Sequence, residues 1–354
     1  RTHVRKGSKR ALCRVAKHFI HKGGNTMKKR VFSLLAVLVL VALMVPAFAS
    51  AKEVMLYSSM KDSQLSALKD AFIAKYPDIR MDYYTAGTGS VMTKLATEQQ
   101  AGGIRADVIW VGDPTNYISF KEQGLLYAYE SPEAATMPAN FKDPDNCYVA
   151  GRVIMLGFVY NTSALSANDV PKTWKELAEF KGYTAMTDPT FSGTTLYTVA
   201  GLVQHPDFGW DFLQKLKDKG MLLERGSSAV VTKVGSGEYD VSVGVDYIAR
   251  TMIAQGSPIA FAYPQDGIPI ILSPIAIVKN TANIEEAKLL FDFILSLEGQ
   301  GILMKEYSAP VRPELSLEGA LSVEEAAKKI LPVDDNRLVA EKDELLKKFD
   351  SIFK

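Results

Sequence analysis

Two stretches set glycine beside serine or threonine where an apolar run gives way to a helical pattern. They are Ala86-Gly87-Thr88-Gly89-Ser90 and Asp188-Pro189-Thr190-Phe191-Ser192-Gly193-Thr194-Thr195. Glycine lets backbone approach a ligand closely, and the first N–H groups of a helix have no partner inside it. Such a turn can hold an anion. Ordinary N-capping uses the same residue types, and either turn alone reads that way. Two turns at matching places in two units favour ligand binding. Other apolar runs end in Ser58-Ser59, in Gly112-Asp113-Pro114-Thr115 and in Asp246-Tyr247. The candidate site is therefore Ser58, Ser59, Gly87, Thr88, Gly89, Ser90, Asp113, Thr115, Ser192, Gly193, Thr194, Thr195, Asp246 and Tyr247. Asp113 and Asp246 could accept hydrogen bonds from ligand hydroxyls or pair with an amine.

Other chemistry finds less support. Gly87-x-Gly89 lacks the third glycine of a dinucleotide fingerprint, and no Walker pattern or G-x-S-x-G elbow occurs. A hydrolase using Ser192 or Ser90 as nucleophile would need a base, and past residue 51 His205 is the sole histidine. The reading is a binding protein, not an enzyme, without a cofactor and without a resident metal. His205 reads as a surface loop residue. Tyr83-Tyr84 read as one buried and one exposed strand position. Trp110 is either core or a stacking wall, and Arg225 and Arg250 read as exposed or ion-paired.

The elements that must position these residues follow from periodicity. Val54–Tyr57, Arg80–Thr85, Ala106–Val111, Tyr183–Thr187 and Asp240–Val245 read as strands. Asp62–Tyr76, with Leu65, Leu68 and Phe72 on one face, reads as a helix stopped by Pro77. Ser90–Ala101, Thr194–Val203 and Tyr247–Gln255 read as further helices, and Thr173-Trp174-Lys175-Glu176 as a capping box. Ile284–Leu297, Val323–Ile330 and Arg337–Phe349 close the chain as amphipathic helices. Strands alternating with helices imply parallel sheets with right-handed crossovers. Ligands of such sheets bind beyond the carboxyl ends of the strands, where the candidate residues lie. Ile268–Val278 holds Pro269 and Pro274, which suits a segment crossing between lobes better than a central strand.

Residues 27–51 carry a charged start at Lys28, Lys29 and Arg30 and an apolar run from Val31 to Val45. Pro46 and the overlapping small-residue sites Ala47-Phe48-Ala49 and Ala49-Ser50-Ala51 follow. That order is a secretory signal peptide, cleaved near Ala49 or Ala51. No cysteine follows for lipidation, which suggests a periplasm. Residues 1–26 read as an upstream extension outside the natural product, with translation starting at Met27. Residues 1–51 hold 11 of 41 basic residues and none of 40 acidic ones, so the remainder carries 30 against 40, a net charge of −10. That argues against nucleic acid or an anionic membrane as partner. Cys147 reads as a small buried hydrophobe, and no His/Cys cluster is present for zinc.

With the signal peptide, the segments Tyr57-Ser58-Ser59, Pro77-Asp78-Ile79, Ala106-Asp107-Val108, Gly124-Leu125-Leu126 and Tyr160-Asn161-Thr162 resemble the periplasmic substrate-binding proteins of ABC importers. The similar branch holds ferric-ion, phosphonate and sugar-phosphate binders, and the resemblance covers nearly all of residues 53–310. It implies an α/β, type II two-lobed fold. Each lobe would be a mostly parallel sheet flanked by helices, joined by crossing hinge segments that close over a ligand. Lobe 1 would be 52–155 with 270–312, and lobe 2 would be 156–269 with 313–354. It implies a monomer that hands a small anionic solute to a membrane permease, with phosphate held at Ser192-Gly193-Thr194. Iron is the alternative, with Tyr57, Asp246 and Tyr247 as ligands. Ferric binders of this branch usually present paired tyrosines where this chain has Asp246-Tyr247, and Lys61 and Gly112 stand where their His and Glu fall.

Overall fold

The computed structural model describes residues 52–354, so the expectations for 1–26 and for the leader 27–51 lie outside the described residues. Ten strands form one sheet. They are β1 (Lys52–Ser58), β2 (Ile79–Thr85), β3 (Val108–Trp110), β4 (Leu126–Tyr127), β5 (Val149–Asn161), β6 (Thr184–Thr187), β7 (Leu222–Glu224), β8 (Val241–Val245), β9 (Ile259–Ala262) and β10 (Ile270–Val278). The order is β2-β1-β3-β10-β5-β8-β6-β7, with β4 on β10 and β9 on β5. The sheet is parallel at each end, where β2, β1 and β3 pair and where β7, β6 and β8 pair. It is antiparallel in the middle, through β3-β10, β10-β5 and β5-β8. This is the type II two-lobed α/β arrangement, with helices flanking each parallel part.

β5 holds the two halves together. Its 13 residues are all buried, and at strand rise they span about 40 Å. Its first half pairs with β10 and its second with β8 and β9. Sequence periodicity missed it, because glycine and Arg152 interrupt the apolar pattern. β10 corrects the reading of Ile268–Val278. It is a central strand, paired with β3 on one side and with the first half of β5 on the other. Pro274 is tolerated because the register shifts between Ser273 and Pro274, and a bulge spares the ladder the N–H that proline lacks.

Cores lie on both faces. Val54, Leu56, Leu65, Leu68, Phe72 and Trp110 belong to one, together with Phe291, Phe293 and Ala326. Tyr57, Val91, Leu95 and Tyr117 form a smaller one on the opposite face of the same strands. Phe158, Trp174, Val199, Val231 and Val243 belong to the third, which also takes Leu338, Leu345 and Phe349 of the last helix. The predicted helix Ile284–Leu297 is two helices, Ile284–Leu295 and Leu297–Lys305, parted where Ser296 turns extended and caps the second. The last helix, Asp335–Phe353, is longer at both ends than its apolar spacing suggested. Thr173 does cap a helix, but only the single turn Trp174–Leu177.

Where β5 crosses the first half, Gly151 lies against Trp110. A Cβ there would sit 2.7 Å from the indole Nε1, which donates to the Ser273 carbonyl at 3.2 Å. Gly151→Ala is therefore expected to cost about 1–3 kcal/mol by overpacking, read as a lower urea midpoint. An unchanged midpoint would show the crossing to be loosely packed.

Candidate functional site

Five helices begin at one cavity of about 320 Å³. They are Asp62–Lys75, Thr88–Gln100, Gly193–Gln204, Ser227–Gly235 and Asp246–Ala254. Their N-cap residues, Lys61, Gly87, Ser192, Gly226 and Val245, all line it. Each helix follows a strand, so the site forms where the strands end. Of the five caps, only Ser192 accepts a hydrogen bond with its side chain, from the Thr195 N–H. Three of the others turn N–H groups without side-chain caps toward the cavity, the Tyr247 N–H of the fifth helix being taken by Asp246, and the helix dipoles favour negative charge there.

The charged side chains agree. Arg152, Arg225 and Lys61 line the cavity, against a single acid, Asp62, whose Oδ1 accepts from the Tyr83 hydroxyl at 2.9 Å. Arg225 is exposed and stacks on the Phe191 ring, 4.5 Å from its centroid. Arg152 is buried. Its guanidinium lies 5.2 Å from the Tyr247 ring centroid and 5.7 Å from that of Trp110. Its Nη1 makes one long contact, 3.4 Å, to Gln64 Oε1, and its Nε has no partner. Among the described residues no carboxylate pairs with Arg152, Arg225 or Lys61. Lys61 lies 5.8 Å from the Tyr247 centroid, and burial lowers its ammonium below the usual lysine range.

Of the residues singled out from sequence, Ser59, Gly87, Thr88, Ser192, Gly193, Thr194 and Tyr247 line this cavity. Ser192, Thr194 and Ser227 share hydroxyl contacts, Ser192 Oγ lying 3.0 Å from Thr194 Oγ1 and 3.2 Å from Ser227 Oγ. Thr195 sits behind them, its hydroxyl donating to Ser192 Oγ at 3.1 Å. Gly89 and Ser90 fall inside the first turn of their helix, which starts two residues earlier than predicted. Ser58 is wholly buried and donates to the Trp110 carbonyl. Thr115 donates to Asp113 Oδ1 at 2.6 Å, and Asp113 Oδ2 pairs with Lys342 at 2.6 Å. Asp246 is buried below the cavity, its Oδ1 accepting from the Tyr247 N–H at 2.8 Å. The candidate iron ligand Tyr57 turns away altogether, donating to Glu98 at 2.8 Å.

Sequence reasoning missed Lys61, Arg152 and Ser227-Ser228, and it discounted Arg225. A signal for Arg152 existed: a lone arginine inside a long apolar run that is buried on both faces has to meet something. Trp110 is core, not a wall. Arg250 is half-buried, and its Nη2 lies 3.3 Å from the Tyr263 hydroxyl rather than on a carboxylate. Cys147 and both Tyr83 and Tyr84 are half-buried. His205 stands at the far end of the helix opened by Ser192, roughly 18 Å away at helical rise.

Glycine brings the two halves together beside the cavity. A Cβ at Gly87 would lie 2.6 Å from the Phe191 carbonyl oxygen, and one at Gly89 would run into that of Thr190. The turn after β2 thus touches the turn after β6, backbone to backbone.

Burial pushes the Asp246 carboxyl from 3.8 up to about 6. The folded state therefore holds this proton more tightly than the unfolded chain does. The group's contribution to stability is fully present below pH 3.8 and is lost as pH rises through about 6. Between pH 4 and 7 that loss is about 2–3 kcal/mol, and Asp246→Asn should remove it. Urea unfolding of both proteins across that range reads the difference; parallel profiles would show that the carboxyl is not desolvated.

The family described as bacterial extracellular solute-binding protein matches residues 105–347, more than half of the chain. A relative from Sinorhizobium fredii, a probable ABC transporter periplasmic-binding protein, y4fP, is 24% identical over 348 residues, covering 94% of each chain. Among solved structures, the periplasmic binding protein AfuA from Actinobacillus pleuropneumoniae, with fructose-6-phosphate bound, superposes with a TM-score of 0.75 at 24% identity. It covers 85% of this chain and 98% of its own. Iron-bound HitA from Pseudomonas aeruginosa superposes with a TM-score of 0.73 at 20% identity, covering 85% and 99%.

Proposed function

The chain belongs to the bacterial extracellular solute-binding protein family, and from that premise we propose that it captures a small phosphorylated or phosphonate solute between its two lobes. In this reading it works in the periplasm as a monomer and hands the solute to the membrane permease of an ABC importer. The observation that carries the reading is the convergence of five helix N-termini and three cations on one cavity with one acid. A phosphoryl group would take N–H groups and hydroxyls from Ser192–Thr194 and from Ser227-Ser228, with Arg225 beside them. Charge-assisted bonds of this kind are the strong ones. Gly87 and Thr88 would close over it from lobe 1. The likeness to AfuA, which was solved with a sugar phosphate, supports the same class.

Ferric ion is the second reading. Tyr247 does line the cavity, and the likeness to iron-bound HitA favours it. Against it, the Tyr57 hydroxyl is spent on Glu98 and Oδ1 of the buried Asp246 accepts from main-chain N–H groups. Three cations around the cavity would also repel a trivalent metal.

A panel of phosphorylated solutes read by thermal shift separates the two. A true ligand at 100 times its Kd adds about 2.7 kcal/mol, worth roughly several degrees at this size. No response, together with a charge-transfer colour on adding Fe(III), would overturn the phosphate reading. Ser192→Ala combined with Thr194→Ala should weaken binding of the responding solute more than tenfold by calorimetry; unchanged affinity would reduce that turn to a helix cap. Gly89→Ala should also weaken it about tenfold or more, although Gly89 lies outside the cavity, because the added Cβ keeps the two turns apart. Wild-type affinity in that variant would mean that binding does not need closure.

A further inference from the structure

We propose that the cavity holds a second anion subsite, made by Arg152 and Lys61 against Tyr247, and that the solute is therefore a phosphorylated carboxylic acid. The inference rests on the phosphate end described above. Arg225 follows β7, whereas Arg152 lies within β5, and β8 and β6 stand between them in the sheet. At ordinary strand spacing the two backbones are about 14 Å apart. One phosphoryl group seated at Ser192 and Arg225 would leave the other end of the cavity with its charge unanswered.

That other end is built for an anion. Arg152 and Lys61 share the Tyr247 ring, at 5.2 and 5.8 Å from its centroid. Arg152 is almost wholly buried, its Nε has no partner, and its one hydrogen bond, to Gln64, is long. Burial of an unpaired cation is costly unless a ligand answers it. Burial also lowers the Lys61 ammonium below its ordinary range, and a negative group beside it would favour its charged form. A polyol would find a poor match here, because Asp62 is the single acid lining the cavity and it already accepts from Tyr83. One guanidinium edge and one ammonium suit the two oxygens of a carboxylate. A second phosphate would ask for more donors than this end offers.

Titration calorimetry with 3-phosphoglycerate and glycerol 3-phosphate tests this directly, since the two differ only by a carboxylate in place of a hydroxymethyl group. The carboxylate probe should bind at least tenfold more tightly, and Lys61→Gln should shrink that ratio below about threefold. Arg152→Gln should shrink it too. Should that variant not fold, Lys61→Gln alone decides, because Lys61 is less buried. Equal affinities, or tighter binding of glycerol 3-phosphate, would overturn the second subsite and leave the phosphate reading standing. Binding of neither probe would overturn both.

Discussion

Arg152 carries a full positive charge into the middle of the strand that joins the two halves, and no carboxylate among the described residues pairs with it. Two aromatic faces and one long contact to Gln64 are its direct contacts, and the buried Asp246 carboxyl feels its charge without pairing with it. A buried cation held this way is worth several kcal/mol of unsatisfied electrostatics. Arg152 lines a cavity, and in the proposed reading an incoming anion supplies the missing partner. The placement of β5 across both halves, the helices that start at the cavity and the cations beside them all serve the same polarity.

Helix polarity does most of the rest. A parallel strand leads into a helix whose free N–H groups point back over the strand end, and five such ends meet here. Serine, threonine and glycine are common at these positions because larger side chains would fill the space that the backbone donors face. The same glycines let the halves meet: Gly87 and Gly89 allow the turn after β2 to lie on the turn after β6. Asp113 is drawn into this junction rather than into the cavity. It sits under Gly193 and pairs with Lys342 of the last helix, so that helix, packed on the third core, also ties down the end of β3.

Much of this was legible beforehand. The strand-to-helix alternation, the two glycine-hydroxyl turns and Tyr247 stand out from spacing alone, because each is a local pattern. Ser192 in particular does cap its helix and does line the cavity, so its capping role does not remove the turn from the cavity. Arg152 escaped because its meaning depends on which strands flank β5, which no window of sequence contains. Asp113 and Asp246 looked like ligand contacts because both follow strands. Thr115 and Lys342 hold Asp113, and main-chain N–H groups hold Asp246 Oδ1, and those partners lie up to 229 residues away. Tyr57 lies apart from the cavity for a simpler reason. Strand residues alternate between faces, and its hydroxyl meets Glu98 on the face away from the cavity.

A crystal structure grown with a phosphorylated solute would test the central claim most directly, with the iron edge used to look for metal. The phosphorus is expected among the N–H groups of Ser192–Thr194 and Ser227-Ser228, beside Arg225, with the halves closed through Gly87 and Gly89. Phosphorus bound elsewhere, or an iron signal on the Tyr247 hydroxyl, would contradict it.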